Sequence, residues 1–173
     1  NGGMDDSLKK VMGDSLDDFL AVKVDLLLEY LRKKSPGEEE ASLSLLDFGC
    51  GQGNFLRLLK GKGFSGKLSG CDVSEEMLKA AEKQLNEGCF FRTGSSASLQ
   101  QSTYEVVVAS CVFHHIDHDE HPDILNNIQG SLKPGGVFMV FEHNPLNPLT
   151  QLVVQRTPVD RNAHLIWHWN MVR

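Results

Sequence analysis

The spacing of apolar residues changes near residue 41. Before it, Leu16, Phe19, Leu20, Val24, Leu27 and Leu31 recur in steps of three and four and share one helical face. The spacing predicts a helix over residues 15–34, with Ser15 as its cap, Asp17 and Asp18 in the first turn and Arg32, Lys33 and Lys34 in the last, each charge matched to the helix dipole. Ser35-Pro36-Gly37 ends it, and residues 38–40 form a solvated acidic linker. Beyond it, residues 43–48 form an apolar run without polar alternation, as in a strand covered on both faces. Strands are predicted at 67–71, 89–93, 105–110 and 137–141. Helices are predicted from Asn54 to about Lys60, from the Ser74 cap to about Glu87, and over 119–132, where Pro134-Gly135-Gly136 stops the chain.

Strands alternating with helices imply β-α-β units. The expected architecture is α/β: a Rossmann-like, doubly wound, mostly parallel sheet with helices on both faces. The tail is less regular, with a short helix over 149–156 and a sixth strand over 164–172. Asn1-Gly2-Gly3 before Met4 reads as an expression scar. Residues 4–40 then form an N-terminal helical segment, 41–143 the core, and 144–173 a shortened C-terminal segment.

Composition narrows the function classes. A chain of 173 residues with 40% hydrophobic and 23% charged residues builds one globular core. A net charge of −6 argues against nucleic acid as partner, and no apolar run reaches membrane-spanning length. Cys50, Cys71, Cys89 and Cys111 stand singly among apolar residues without metal-ligand spacing, which points to a reducing, cytoplasmic setting and no structural metal.

In an open parallel sheet, ligands bind beyond the carboxyl ends of the strands. Four segments of interest fall there: 47–54, 71–74, 93–96 and 110–115. Gly49 and Gly51 allow a sharp turn that brings backbone N–H groups to a ligand at a helix N-terminus. The same glycines also suit a plain tight turn. The third glycine, Gly53, comes one residue early for a dinucleotide fingerprint, and no Walker loop follows. Asp72 closes the second strand, about 20 residues past the glycines, where a carboxylate can accept the hydrogen bonds of a ribose diol; a plain surface acid before the Ser74 cap is the alternative.

Leu45-Leu46-Asp47-Phe48-Gly49-Cys50-Gly51-Gln52-Gly53-Asn54, the acid Asp72 and the turn Leu132-Lys133-Pro134-Gly135-Gly136 together resemble the class I S-adenosylmethionine-dependent methyltransferase family, small-molecule type. The resemblance spans residues 40–143. It implies S-adenosylmethionine as cofactor, S-adenosylhomocysteine (SAH) as product and a small molecule as methyl acceptor. It also implies site roles. Asp47 would hold the methionine end, with Gly49, Cys50 and Gly51 lining it. Asp72 would take the ribose hydroxyls, and Val73 and Met77 would pack on adenine. Gly94, Ser95 and Ser96 would reach the adenine edge, with Ser95 where many members carry aspartate. Ser110 opens the segment Ser110-Cys111-Val112-Phe113-His114-His115-Ile116, which matches the stretch after the fourth strand in many small-molecule methyltransferases.

His115 and His114 are candidate general bases, and His143 is a weaker one. The spacing of His115, His118 and His121 suggests metal ligands, but Pro122 interrupts it and a solvated loop accounts for it better. In the resembling family an N-terminal helix caps the acceptor pocket, so Phe19 or Tyr30 would touch the acceptor. The residues after Phe141 are few for the family's last helix and hairpin. That shortening raises two expectations: a cofactor-binding but inactive chain, and self-association through, or burial of, residues 165–172. A nicotinamide-dependent oxidoreductase is the third reading, opposed by Asn54.

Overall fold

The computed structural model describes residues 16–34, 40–93, 99–144 and 146. The fifteen residues before Leu16, residues 94–98 with Gly94, Ser95 and Ser96, and the tail with its expected helix and sixth strand lie outside the described residues.

Among the described residues five parallel strands form one sheet: β1 (Ser44–Phe48), β2 (Lys67–Asp72), β3 (Cys89–Arg92), β4 (Tyr104–Ser110) and β5 (Leu132–Phe141). Their order is β3-β2-β1-β4-β5, so the direction of winding reverses between β1 and β4. The helices are α1 (Leu16–Lys34), α2 (Asn54–Gly61), α3 (Glu75–Leu85) and α4 (His121–Ser131). The expected α/β class and parallel sheet are observed. Strict alternation is not: the described residues between β3 and β4 contain no helix.

Side chains of successive strand residues point to opposite faces, and the core divides accordingly. Leu45, Val106 and Val108 pack with Val24, Leu27, Leu28 and Leu31 of α1 and with Phe55, Leu56 and Leu59 of α2. Leu46, Val107 and Ala109 pack on the other face with Ile124 and Ile128 of α4. Helix α1 is therefore part of the core itself. The same alternation puts Asp47 and Ser110 on the α1 face, since each lies two residues beyond an α1-facing neighbour.

Arg57 on α2 pairs with Asp17 at 2.7 Å, and Lys62 beyond α2 pairs with Asp25 at 2.6 Å, so α1 is tied down on both sides of residue 23. Exposed pairs of this kind contribute at most about 1 kcal/mol each, so the apolar stripe does most of the holding. Phe19, expected on that stripe, is 46% exposed.

Element ends shifted by a residue or two for local reasons. Ser74 caps α3 as expected, its Oγ accepting from Met77 N at 3.4 Å, but the helix stops at Leu85 because Asn86 turns left-handed at φ 55°. β5 starts at Leu132, five residues early: Tyr104 pairs with Leu132, and Val106 pairs next with Val137. The Pro134-Gly135-Gly136 turn is thus bulged out within the strand's span rather than placed before it.

Candidate functional site

The chain crosses from β1 to α2 through residues 49–53 at the β1/β4 switch point. Gly49 N and Cys50 N both donate to Cys71 O, at 2.8 and 2.9 Å, folding the loop over the end of β2. Gly49 has φ +75°, and a Cβ there would stand 2.6 Å from Val112 Cγ2, so glycine is required both by the backbone and by the close approach of the turn after β4. Gly49→Ala is expected to destabilise the fold by about 1–2 kcal/mol, read by chemical denaturation; an unchanged midpoint would show that Val112 yields freely. Gly51 also has a positive φ, +51°, but a Cβ there meets nothing within 4 Å. The space beside Gly51 is open.

Asp72 connects the two halves of the site. Its Oδ2 accepts from Gly51 N at 2.9 Å and its Oδ1 from Ser74 N at 2.9 Å. A carboxylate offers about four acceptor positions, so two remain, and the residue is only half-buried. Beside it Val73 is 64% exposed and Met77 is 38% exposed, two large apolar side chains facing solvent next to a polar anchor.

Asp47 sits deeper, 2% exposed. Burial, and secondarily the charge of Asp72, push its carboxyl up to about 8, while Lys23 pulls the other way. Burial likewise raises the Cys50 thiol and pushes Cys71 up to about 12, so both are inert apolar packing beneath the loop. All four cysteines are free.

Two residues of the site escaped the sequence reading. Lys23 of α1 is 7% exposed, and its Nζ donates to Ser110 Oγ at 2.9 Å and to Cys111 Sγ at 3.0 Å. A lysine three residues after Leu20 and four before Leu27 stands on the core stripe, which was the available signal. The second is Glu142, just past β5. Its Oε1 accepts from Val112 N and Phe113 N at 3.0 and 2.8 Å, and its Oε2 lies 2.7 Å from His114 Nδ1. Burial alone would raise the Glu142 carboxyl. The His114 hydrogen bond and charge and the two backbone donors outweigh it and leave the group below the usual carboxylate range. The signal here was an acid closing an apolar strand, the same one that marked Asp72.

Glu142 settles how the two adjacent histidines differ. His114 is buried and its Nδ1 faces the carboxylate, whereas His115 is exposed, its ring centroid 4.1 Å from that of His114. Phe113, between Phe48 and Phe138, plugs the same turn into the core. Cys111 adopts φ 59°, an uncommon left-handed conformation for a non-glycine residue, and donates its N–H to Phe141 O at 2.8 Å. His121 Nε2 faces the carbonyls of Phe113 and Ile116, each at 3.1 Å, which turns it toward the chain rather than toward a shared ion. Among the described residues no group of three or more histidines, cysteines or acids is placed to hold a metal.

A glycine loop is thus bonded to the acid of the next strand at the switch point of a parallel sheet. A family model described as a methyltransferase domain matches residues 16–172. The chain belongs to that family. Trans-aconitate 2-methyltransferase of Rhodopseudomonas palustris (strain BisA53) is 30% identical over 112 residues, which are 64% of this chain and 43% of that protein. An S-adenosylmethionine-dependent methyltransferase from Mesorhizobium loti is 27% identical, with a TM-score of 0.53 over 68% of this chain and 53% of that one. The plantazolicin methyltransferase, solved with a desmethyl substrate analog and SAH, shares the fold at TM-score 0.65 and 20% identity, covering 83% of this chain and 55% of that one. The chain spans less than half the length of the curated relatives it matches. Among the described residues no helix is long and apolar enough to cross a membrane.

Proposed function

We propose that this methyltransferase domain binds S-adenosylmethionine and transfers its methyl group to a small-molecule acceptor. The observation that carries the reading is Asp72. It is bonded to the glycine loop, keeps acceptor positions free, and stands between the open space at Gly51 and the exposed Val73 and Met77. That arrangement fits a ribose diol on the carboxylate and adenine against the apolar pair. The residues fit the cofactor's other end as well: Asp47, buried at the end of β1 with its carboxyl held toward the neutral form, can ionise against the charge of a cationic amino-acid group placed beside it. Residues 41–143 carry all these contacts except those of α1.

When bound, the cofactor supplies a methyl group on a sulfonium, a good leaving arrangement, so the protein's task is mainly alignment. Val112 against Gly49 sets the separation between the two loops that face the ligand. Glu142 holds the turn after β4 in place through two backbone N–H groups and His114, and that turn presents His115 to solvent at the carboxyl edge. We assign His114 to positioning and His115 to accepting the proton of a hydroxyl or amine acceptor. His115→Ala is then expected to lower kcat while leaving SAH affinity unchanged; equal rates would remove His115 from that role.

The test of the reading is calorimetric titration with SAH and with a nicotinamide dinucleotide, followed by transfer of a radiolabelled methyl group across a panel of small acceptors. Binding of SAH alone and label on a small molecule support it. Preference for the dinucleotide would overturn it, and SAH binding without transfer would favour an inactive cofactor-binding domain. Trans-aconitate belongs in the panel because the relatives are named for it. The four free cysteines accord with a reducing, cytoplasmic setting. Self-association would use the outer edge of β5, whose only strand neighbour among the described residues is β4, and sedimentation velocity would reveal it.

A further inference from the structure

Glu142 has a bond that bracing a turn does not require. Its side chain is 9% exposed, and its carboxylate meets three donors from consecutive residues: Val112 N at 3.0 Å, Phe113 N at 2.8 Å and, on the other oxygen, His114 Nδ1 at 2.7 Å. The two backbone donors seat the turn, and a neutral oxygen would serve them equally well. The third bond calls for the charge. The donors around Glu142 outweigh its burial and keep it ionised. An ionised carboxylate only accepts, so the proton between the two groups belongs to Nδ1 of His114. Glu142 thereby fixes which ring nitrogen carries hydrogen and how the ring is turned. That ring is 1% exposed and touches two others: its centroid lies 4.1 Å from that of His115 and 4.9 Å from that of His143. His115 is exposed on the turn after β4, and His143 is half-buried just past β5.

From this cluster we propose that Glu142 is a positioning residue of the transfer reaction, acting through the Nδ1 proton of His114 to set the orientation of His115 and His143 on the acceptor side of the site. The inference rests on the reaction proposed above and deepens it. Glu142 does not touch the acceptor and stays ionised throughout; the proton of a hydroxyl or amine acceptor goes to His115. The bonds of Glu142 divide into two halves with different duties. Val112, one of the two backbone donors, is also the side chain that closes on Gly49, so the backbone half supports the glycine loop. The His114 half reaches no part of that loop and serves the three imidazole rings alone.

Glu142→Gln separates the halves. An amide has one acceptor oxygen, for which two backbone donors compete against one ring nitrogen. The oxygen stays with Val112 N and Phe113 N, the NH2 group meets His114 Nδ1, and the ring proton moves to Nε2. Nitrogen-15 NMR of histidine-labelled protein reads this directly. Wild type should show His114 protonated at Nδ1; Glu142→Gln should show the proton at Nε2, with the His115 and His143 signals displaced. Calorimetry should give the two proteins the same SAH affinity, because the backbone half is intact. Radiolabelled transfer across the acceptor panel should slow by about 10- to 100-fold in kcat. His114→Asn, whose side-chain NH2 stands where Nδ1 does, keeps the bond to Glu142 but removes the ring. It should slow transfer by a similar factor, and it carries the test where Glu142→Gln folds poorly. The proposal is overturned if Glu142→Gln leaves the His115 and His143 signals in place or transfers label at the wild-type rate. It is also overturned if SAH affinity and kcat fall together in both variants, the mark of a turn brace. Wild type that binds SAH and transfers no label sinks the transfer reading and this proposal with it, whereas wild-type transfer that the two variants match sinks this proposal alone.

Discussion

Asp72→Ala is expected to weaken SAH binding by at least about 100-fold. The residue does two things at once. In the proposed role it offers its remaining acceptor positions to a ribose diol, and each charge-assisted hydrogen bond of that kind is worth about 1.5–3 kcal/mol. It also fixes the glycine loop, because its Oδ2 accepts from Gly51 N and its Oδ1 from Ser74 N, both at 2.9 Å. Alanine removes both, and tenfold in affinity corresponds to about 1.4 kcal/mol, so two lost bonds suffice for the stated factor before any loosening of the loop. Asp72→Asn separates the roles. An amide keeps one acceptor oxygen but presents an NH2 to one of the two backbone donors, so its affinity should fall between wild type and alanine. Titration calorimetry, with circular dichroism to confirm the fold, reads the outcome. Wild-type affinity in Asp72→Ala would remove the carboxylate from the ligand's reach and leave it as a loop brace only.

The site was legible in the chain wherever a residue's place follows from its own strand. Asp72 and the glycines of 49–53 were visible because a parallel strand must end at the ligand edge and a tight turn there needs residues that tolerate positive φ, as Gly49 and Gly51 do. The layering of the core was visible in the strands' alternation. What was not visible depends on contacts between segments far apart in the chain. Lys23 reads as one more polar residue on an amphipathic helix until α1 is laid across β4, 87 positions away at Ser110. Glu142 likewise gains its role only when β5 pairs beside β4 and brings its carboxylate under the 112–114 turn. That pairing is also what divides His114 from His115, two neighbours that local sequence treats alike. The bulge in β5 was hidden for a similar reason: Pro134-Gly135-Gly136 signals a turn, but only the pairing of Tyr104 with Leu132 shows that strand contact has begun before it.

On the proposed cofactor reading, Asp47 is expected to make ligand binding depend on pH, with a sign fixed by its surroundings. Burial first and the Asp72 charge second raise its carboxyl from 3.8 to about 8, so below pH 8 the ligand-free protein mostly holds that proton. A cationic amino-acid group beside Asp47 favours the ionised form and lowers the value in the complex. Binding below pH 8 therefore releases a proton, and affinity rises with pH, approaching tenfold per unit, until it levels above about 8. Between pH 6 and 8 the expected gain in SAH affinity is about 50-fold, since half the carboxyl is still protonated at the upper end. The ligand-free fold responds in the opposite sense. Its native state binds more protons than the unfolded chain between 3.8 and about 8, so Asp47 lowers stability as pH rises through that window. Asp47→Asn mimics the protonated form and should bind SAH with the low-pH affinity of wild type at every pH. Titration of the ligand's own amine is common to both proteins, so the difference between the two profiles isolates Asp47. Calorimetry in two buffers of different ionisation heat counts the released proton directly. Parallel profiles for wild type and Asp47→Asn would show that Asp47 does not change its protonation when the ligand binds, and would remove it from contact with the ligand's cationic group.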